Sequence, residues 1–173
     1  MNKAVVNALL LRTANGDNVA FEKLYALTKK GVFSFLHTYL HNYADTEDAM
    51  QTVYLKIKKG ISSSQAGTNG SAWILQIAKN HALNELKKRR QTVELDEGTV
   101  AIEMPVPSDN SGVMGVMQRV LSEEEQRIVT LHVQWGYKHR ELAQILGCPT
   151  GTVTSKYKRA IEKLRKALKE EEQ

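Results

Sequence analysis

Several things are scarce in this chain, and each scarcity excludes something. There is one cysteine, Cys148, in 173 residues. An intrachain disulfide framework and a cysteine-based zinc site are therefore impossible, and the composition suits a reducing cytoplasm. Prolines number three, two of them within one segment, so long helices meet few interruptions elsewhere. No stretch approaches the ~20 apolar residues that span a bilayer. Val5 to Leu11 is apolar, but it is short, broken by Asn7 and followed by Arg12 without a small-residue cleavage site, so it reads as the start of a helix. No alternating strand pattern and no convincing repeat occurs. Paired catalytic carboxylates at a telling spacing, a phosphate loop and a metal cluster are also missing, so the reading is of a non-enzyme with no cofactor and no metal. His37 and His41 stand four apart, but no glutamate lies between them and no third ligand is evident. Two partly exposed histidines account for them.

What is present is amphipathic and basic. Hydrophobic residues make up 42%, enough for cores, and Lys plus Arg exceed Asp plus Glu by 24 to 19. The excess is clustered, most visibly at Lys87-Lys88-Arg89-Arg90, and clustering favours phosphate binding more than the total does. A first helix covers Lys3 to Arg12. Asn15-Gly16-Asp17 is a turn, with Asp17 or Asn18 placed to cap the second helix. From Val19 to His41, Phe21, Leu24, Tyr25, Val32, Phe33, Leu36, Tyr39 and Leu40 recur at helical spacing, in one long helix or two joined near Gly31. Asp45 or Thr46 caps a helix to about Lys59, with Ala49, Val53, Leu55 and Ile57 inward and Asp48, Gln51, Thr52 and Lys56 outward. A polar loop runs from Ile61 to Gly70. Ser71 is placed to cap a helix from Ala72 to Arg90, with Trp73, Ile74, Ile77, Ala78, Ala82, Leu83 and Leu86 on its apolar side.

Gln91 to Gly112 is acidic, proline-containing and aperiodic, and reads as a linker. After it, Val113 to Leu121 is a short helix, and Ser122 with Glu125 forms a capping box for a helix to about Val133, with Ile128, Val129 and Leu131 inward. The stretch Gly136 to Leu168 reads as helix, tight turn, helix. Leu142, Ala143, Ile145 and Leu146 give the first helix its stripe, Gly147-Cys148-Pro149 stops it, and Thr150 is placed to cap the second. There Val153, Tyr157, Ala160, Ile161 and Leu164 form a buried seam, opposite Thr154, Ser155, Lys156, Lys158 and Arg159. That is the layout of a helix-turn-helix whose outer face of hydroxyls and cations enters a major groove. The same pattern also describes an αα-hairpin with a solvated basic face.

Taken together, the chain resembles the extracytoplasmic-function sigma factors of the sigma-70 family. Three blocks in order carry the resemblance. DTEDAMQTVYLKI (45–57) is similar to region 2.2, SAWILQIAKNHALNELKKRR (71–90) to regions 2.3 and 2.4, and LSEEEQRIVTLHVQWGYKHRELAQILGCPTGTVTSKYKRAIEKLRKAL to region 4. The resemblance implies an all-α fold of two small helical domains: a σ2-like bundle over 1–90 and a σ4-like helix-turn-helix domain over 113–173, joined by a flexible linker over 91–112. It implies binding to core RNA polymerase (β′ and β subunits) and to promoter DNA, promoter-specific initiation in the cytoplasm, and control by an anti-sigma factor, without membrane insertion.

Site residues are assigned position by position. Asp48 and Gln51 match polar positions on the surface that docks on the β′ coiled coil, where Thr52 replaces a usual acidic residue. Lys79, Asn80, Asn84, Lys87 and Lys88 fall on the −10-reading helix, and Ser62 to Asn69 on the loop that holds an extruded base. Trp73 matches an apolar-stripe position and reads as core. Ser155, Lys156 and Arg159, with Thr154 and Arg140, fall on the −35-reading face. Lys138 stands where a capping hydroxyl is usual. The acidic linker is either a plain tether or a nucleic-acid mimic threading toward the polymerase cleft. A dimeric helix-turn-helix regulator is the rival reading, and it predicts palindromic sites spaced by a helical turn.

Overall fold

The computed structural model describes residues 2–61, 69–95 and 112–171. Among these, eight helices account for the regular structure: α1 (Lys3–Ala14), α2 (Asn18–Leu40), α3 (Tyr43–Gly60), α4 (Gly70–Leu95), α5 (Val113–Val120), α6 (Glu123–Val133), α7 (His139–Leu146) and α8 (Thr150–Glu171). They form two compact units, α1–α4 and α5–α8.

In the first unit α2 packs against α1, α3 and α4. It is a single helix, and Gly31 is buried within it. Its Asp17 cap accepts from Ala20 N at 2.9 Å and is held by Arg12. Fully buried Val6, Leu10, Leu24, Val32, Leu36, Val53, Ile57, Ile74, Ala78 and Ala82 fill the centre. Two polar pairs cross this core. The Thr28 hydroxyl donates to Leu24 O at 2.7 Å, so the Tyr54 phenol, 2.6 Å away, donates to Thr28. Thr46 likewise donates to Asn42 O, leaving its oxygen to accept from His37 Nδ1 at 3.0 Å. His37 is therefore a buried partner of α3 and lies only 4% exposed.

Several expectations need correction. Asn42, not Asp45 or Thr46, caps α3, because its side chain reaches Asp45 N at 3.0 Å while Thr46 turns inward to His37. Leu55 is 59% exposed, and the adjacent Tyr54, at 5%, takes the inward place. Asn69 rather than Ser71 supplies the first side-chain bond of α4, from Ala72 N at 3.2 Å, and Ser71 is buried. Leu83 and Ile145 are also outward, at 44% and 45%. Trp73 is half-buried. The helix α4 continues five residues past Arg90, to Leu95, so residues 91–95 are helical rather than aperiodic. Residues 62–68 and 96–111, which include most of the loop and of the acidic segment, lie outside the described residues.

In the second unit α8 is the common partner of α5, α6 and α7. Val116, Leu121, Val129, Ala160 and Leu164 form one cluster, and Trp135 and Tyr137 are almost fully buried in the connection from α6 to α7. Burial, with a contribution from Glu141, pushes the Tyr137 phenol up to about 12. The capping box is present: Ser122 accepts from Glu125 N, and the Glu125 carboxylate accepts from Ser122 N at 2.9 Å. That carboxylate also receives Lys163 of α8 at 2.9 Å, so one residue starts α6 and ties it to α8. Burial pulls the Glu125 carboxyl upward, but the Lys163 and Ser122 bonds outweigh it and hold the group below its ordinary value.

Candidate polymerase and nucleic-acid interfaces

Three surfaces hold the residues singled out from sequence. On α3, Asp48 and Gln51 are exposed and Thr52 is half-buried. Leu55 joins them at spacings of three and four, so an unshielded leucine lies in the middle of a polar stripe. The sequence pattern assigned Leu55 inward, and only the structure places it on the surface. Asp48 and Thr52 border a groove whose other wall is α4, through His81, Glu85 and Arg89. Arg89 bonds Asp45 across it at 2.6 Å. That cation of the basic run is therefore a tether between α3 and α4.

On α4, Asn80, Asn84, Lys87 and Lys88 are exposed along one face and Lys79 is half-buried at its edge. Asn80 accepts from Gln76 at 2.8 Å, which leaves its amide nitrogen outward. Lys88 bonds Glu85 at 2.9 Å. Asn80, Asn84, Lys87 and exposed Gln91 recur at three and four residues and present amides and ammonium groups in a row.

On α7 and α8 the turn forms as its residues demand. Gly147 ends α7 in the left-handed region at φ 66°, and Cys148 N bonds Ala143 O at 3.0 Å. The backbone of Thr150 is already helical, and the carbonyl of Pro149 accepts from Val153 N, so Thr150 is not the cap. Lys138 N bonds the Glu141 carboxylate at 2.7 Å, which starts α7 without a capping hydroxyl. Ser155 and Arg159 face outward, as does Arg140 in the first turn of α7. Lys158 is outward as well. Thr154 and Lys156 are engaged internally. Thr154 donates to Thr150 O and receives His139 Nδ1 at 3.1 Å, while Lys156 forms an ion pair with Glu124 of α6. His132, His139 and Tyr157 pack their rings together with centroids 4.7–5.0 Å apart, joining α6, α7 and α8. Nothing in the sequence pattern pointed to that cluster, because its members come from three separate elements.

Family models match both units: sigma-70 region 2 over residues 24–92 and sigma-70 region 4 over residues 118–164, together two thirds of the chain. The chain belongs to the sigma-70 family. Among curated relatives, the RNA polymerase sigma factor CarQ of Myxococcus xanthus is 28% identical over 92% of this chain and 95% of its own. The ECF RNA polymerase sigma-E factor of Haemophilus influenzae is also 28% identical, over 90% of each. Two solved structures share the fold. Sigma factor RpoE from Bartonella quintana, in complex with the anti-sigma factor NepR, matches at a TM-score of 0.63 and 22% identity, over 86% of this chain and 96% of that one. CnrH, in complex with the cytosolic domain of CnrY, matches at 0.61 and 19%, over 95% and 97%. The all-α fold expected from the sequence is thus the fold of a sigma factor.

No group of three or more His, Cys, Asp or Glu side chains is placed to hold a metal among the described residues. Nor is any described helix long and apolar enough to cross a membrane. Cys148 is half-buried.

Proposed function

We propose that this chain is a promoter-specificity subunit of the extracytoplasmic-function group, acting in the cytoplasm on core RNA polymerase. In this reading the α3 stripe of Asp48, Gln51, Thr52 and Leu55 docks on the β′ subunit. The α4 face of Lys79, Asn80, Asn84, Lys87 and Lys88 takes the −10 strand, and Arg140, Ser155, Lys158 and Arg159, joined by Thr154 and Lys156, meet the −35 duplex. The chain has no catalytic part in the scheme. The observation that carries it is the pairing of two surfaces in one small unit: an outward leucine within a polar stripe on α3 and a row of amides and cations on α4. An apolar anchor ringed by polar groups suits a protein partner, and a cationic row suits nucleic-acid backbone. A dimeric helix-turn-helix regulator needs neither in its first domain. By likeness to the solved complex of RpoE with the anti-sigma factor NepR, an anti-sigma protein is a further partner.

The test is reconstitution. Purified protein, bacterial core polymerase and a genomic fragment library are combined in run-off transcription. Defined start sites that require both proteins are the expected result, with Arg159→Ala weakening −35 dependence more than Lys156→Ala, whose ammonium is already paired with Glu124. A protein that ignores core polymerase and retards duplex DNA as a dimer would establish the regulator reading instead.

A further inference from the structure

A second groove between α3 and α4, about 590 Å³ in volume, is lined by charge of mainly one sign. Lys56 of α3 faces Lys87 and Lys88 of α4 across it, against one carboxylate, Glu85, which Lys88 holds at 2.9 Å. At its base His81 is 8% exposed. Lys56 Nζ lies 3.3 Å from His81 Nδ1. An ammonium only donates, so Nδ1 accepts and the ring is neutral with its proton on Nε2. Burial first, and Lys56 next, hold this imidazole below its ordinary range. The amides of Asn84 and Gln91 border the same space. Thr52, standing where the family usually has an acidic residue, contributes a hydroxyl to the rim in place of a carboxylate.

We propose that this groove is a phosphate site, in which Lys56 and Lys87 supply charge and the amides of Asn84 and Gln91 supply hydrogen bonds to a phosphate ester. His81 is a positioning residue: as an acceptor at the groove floor it holds the ammonium of the exposed Lys56 side chain toward α4. A tetrahedral oxyanion suits this set because the ammonium groups of Lys56 and Lys87 and the amide N–H groups of Asn84 and Gln91 all donate, while the one carboxylate, Glu85, is already held by Lys88. The inference deepens the −10 reading and rests on it, since Asn84 and Lys87 belong to that face of α4. It adds Lys56 from the neighbouring helix, so that a strand crossing α4 is gripped from both sides of the groove. The same chemistry is offered by a strand phosphodiester and by a free phosphate.

The imidazole signals of the full-length protein, followed by NMR, give the test. One titration uses inorganic phosphate and a separate one uses a short oligothymidylate, which lacks any −10 sequence. A bound anion neutralises Lys56, so a saturable shift of the His81 signal and a rise in its pKa are expected. Lys56→Gln is expected to weaken the response about tenfold, the scale of one charge-assisted hydrogen bond lost. Response to the oligonucleotide alone identifies strand backbone as the ligand, response to phosphate alone identifies a free anion, and either supports the site. No saturable response to either probe, or unchanged affinity in Lys56→Gln, overturns it. Run-off transcription with the same preparation separates this inference from the promoter reading. Initiation with a silent His81 sinks the phosphate site alone, and a responsive His81 without initiation sinks the promoter reading alone.

Discussion

Replacing Leu55 with alanine separates docking from folding. The side chain is 59% exposed in the free protein. Full burial of a leucine contributes about 1.5–3 kcal/mol, so about 1–2 kcal/mol remains to be gained when a partner covers it. Leu55→Ala should therefore weaken binding to core polymerase about 5- to 30-fold. It should change fold stability by no more than about 0.5 kcal/mol, because little of the side chain packs against its own protein. Ile57, two residues on and fully buried, is the control. Ile57→Ala leaves a cavity and should cost about 2–5 kcal/mol of stability. Competition between each variant and labelled wild-type protein for core polymerase gives the affinities, and thermal melts give the stabilities. A Leu55→Ala protein that melts as early as Ile57→Ala while holding core polymerase normally would refute the docking argument.

Other outcomes turn on single contacts. A Cβ at Gly70 would lie 2.2 Å from Leu10 Cδ1 and 2.8 Å from Asn7 Oδ1. The Asn7 oxygen also accepts Gly70 N–H at 2.7 Å. Gly70→Ala should thus cost about 1–3 kcal/mol, and Leu10→Ala in the same chain should cost less than the sum of the two singles; strict additivity in denaturant melts would disprove the contact. Glu124→Gln releases Lys156 from its ion pair. It should raise affinity for −35 duplex up to about fivefold at low salt, and unchanged affinity in fluorescence anisotropy would remove Lys156 from the DNA face. Burial first, then His41, hold His37 below 6.5. The unfolded ring takes its proton first as pH falls, so this stability is complete above about pH 6.5 and is lost as pH drops toward the folded pKa. The melting temperature should decline from pH 7 to 5, and His37→Gln, which keeps a donor for Thr46, should flatten that slope; an unaltered slope would assign the dependence to other groups.

Elements with strong local signals are legible in the amino-acid order alone. The Asp17 cap, the Ser122–Glu125 box, the left-handed Gly147 and the seam from Val153 to Leu164 each depend on residues a few positions apart, and each forms as its pattern predicts. Errors collected where two inward choices were close. Leu55 and Tyr54 are adjacent and both apolar. Hydropathy favours the leucine, but Thr28 on α2 offers the tyrosine hydroxyl a buried acceptor, and that decided which side faces in. Asn42 displaced Asp45 and Thr46 as cap for a similar reason, since Thr46 had a buried partner in His37. The outer face of α8, proposed to meet the −35 duplex, shows the same effect, with Ser155 and Arg159 left outward while α6 and α7 claimed Lys156 and Thr154.

By itself, then, the sequence determined the helical class and the helix faces on which cations collect. Helical period, capping and charge clustering are properties of neighbours along the chain. Only the tertiary structure decided which cations remain available to a partner and which are held as Arg89 is by Asp45. It also decided that Leu55 is a surface residue and that Lys56, His81 and Lys87 share one groove. Those outcomes turn on which helix lies against which, and on where a buried hydroxyl or imidazole finds its hydrogen bond.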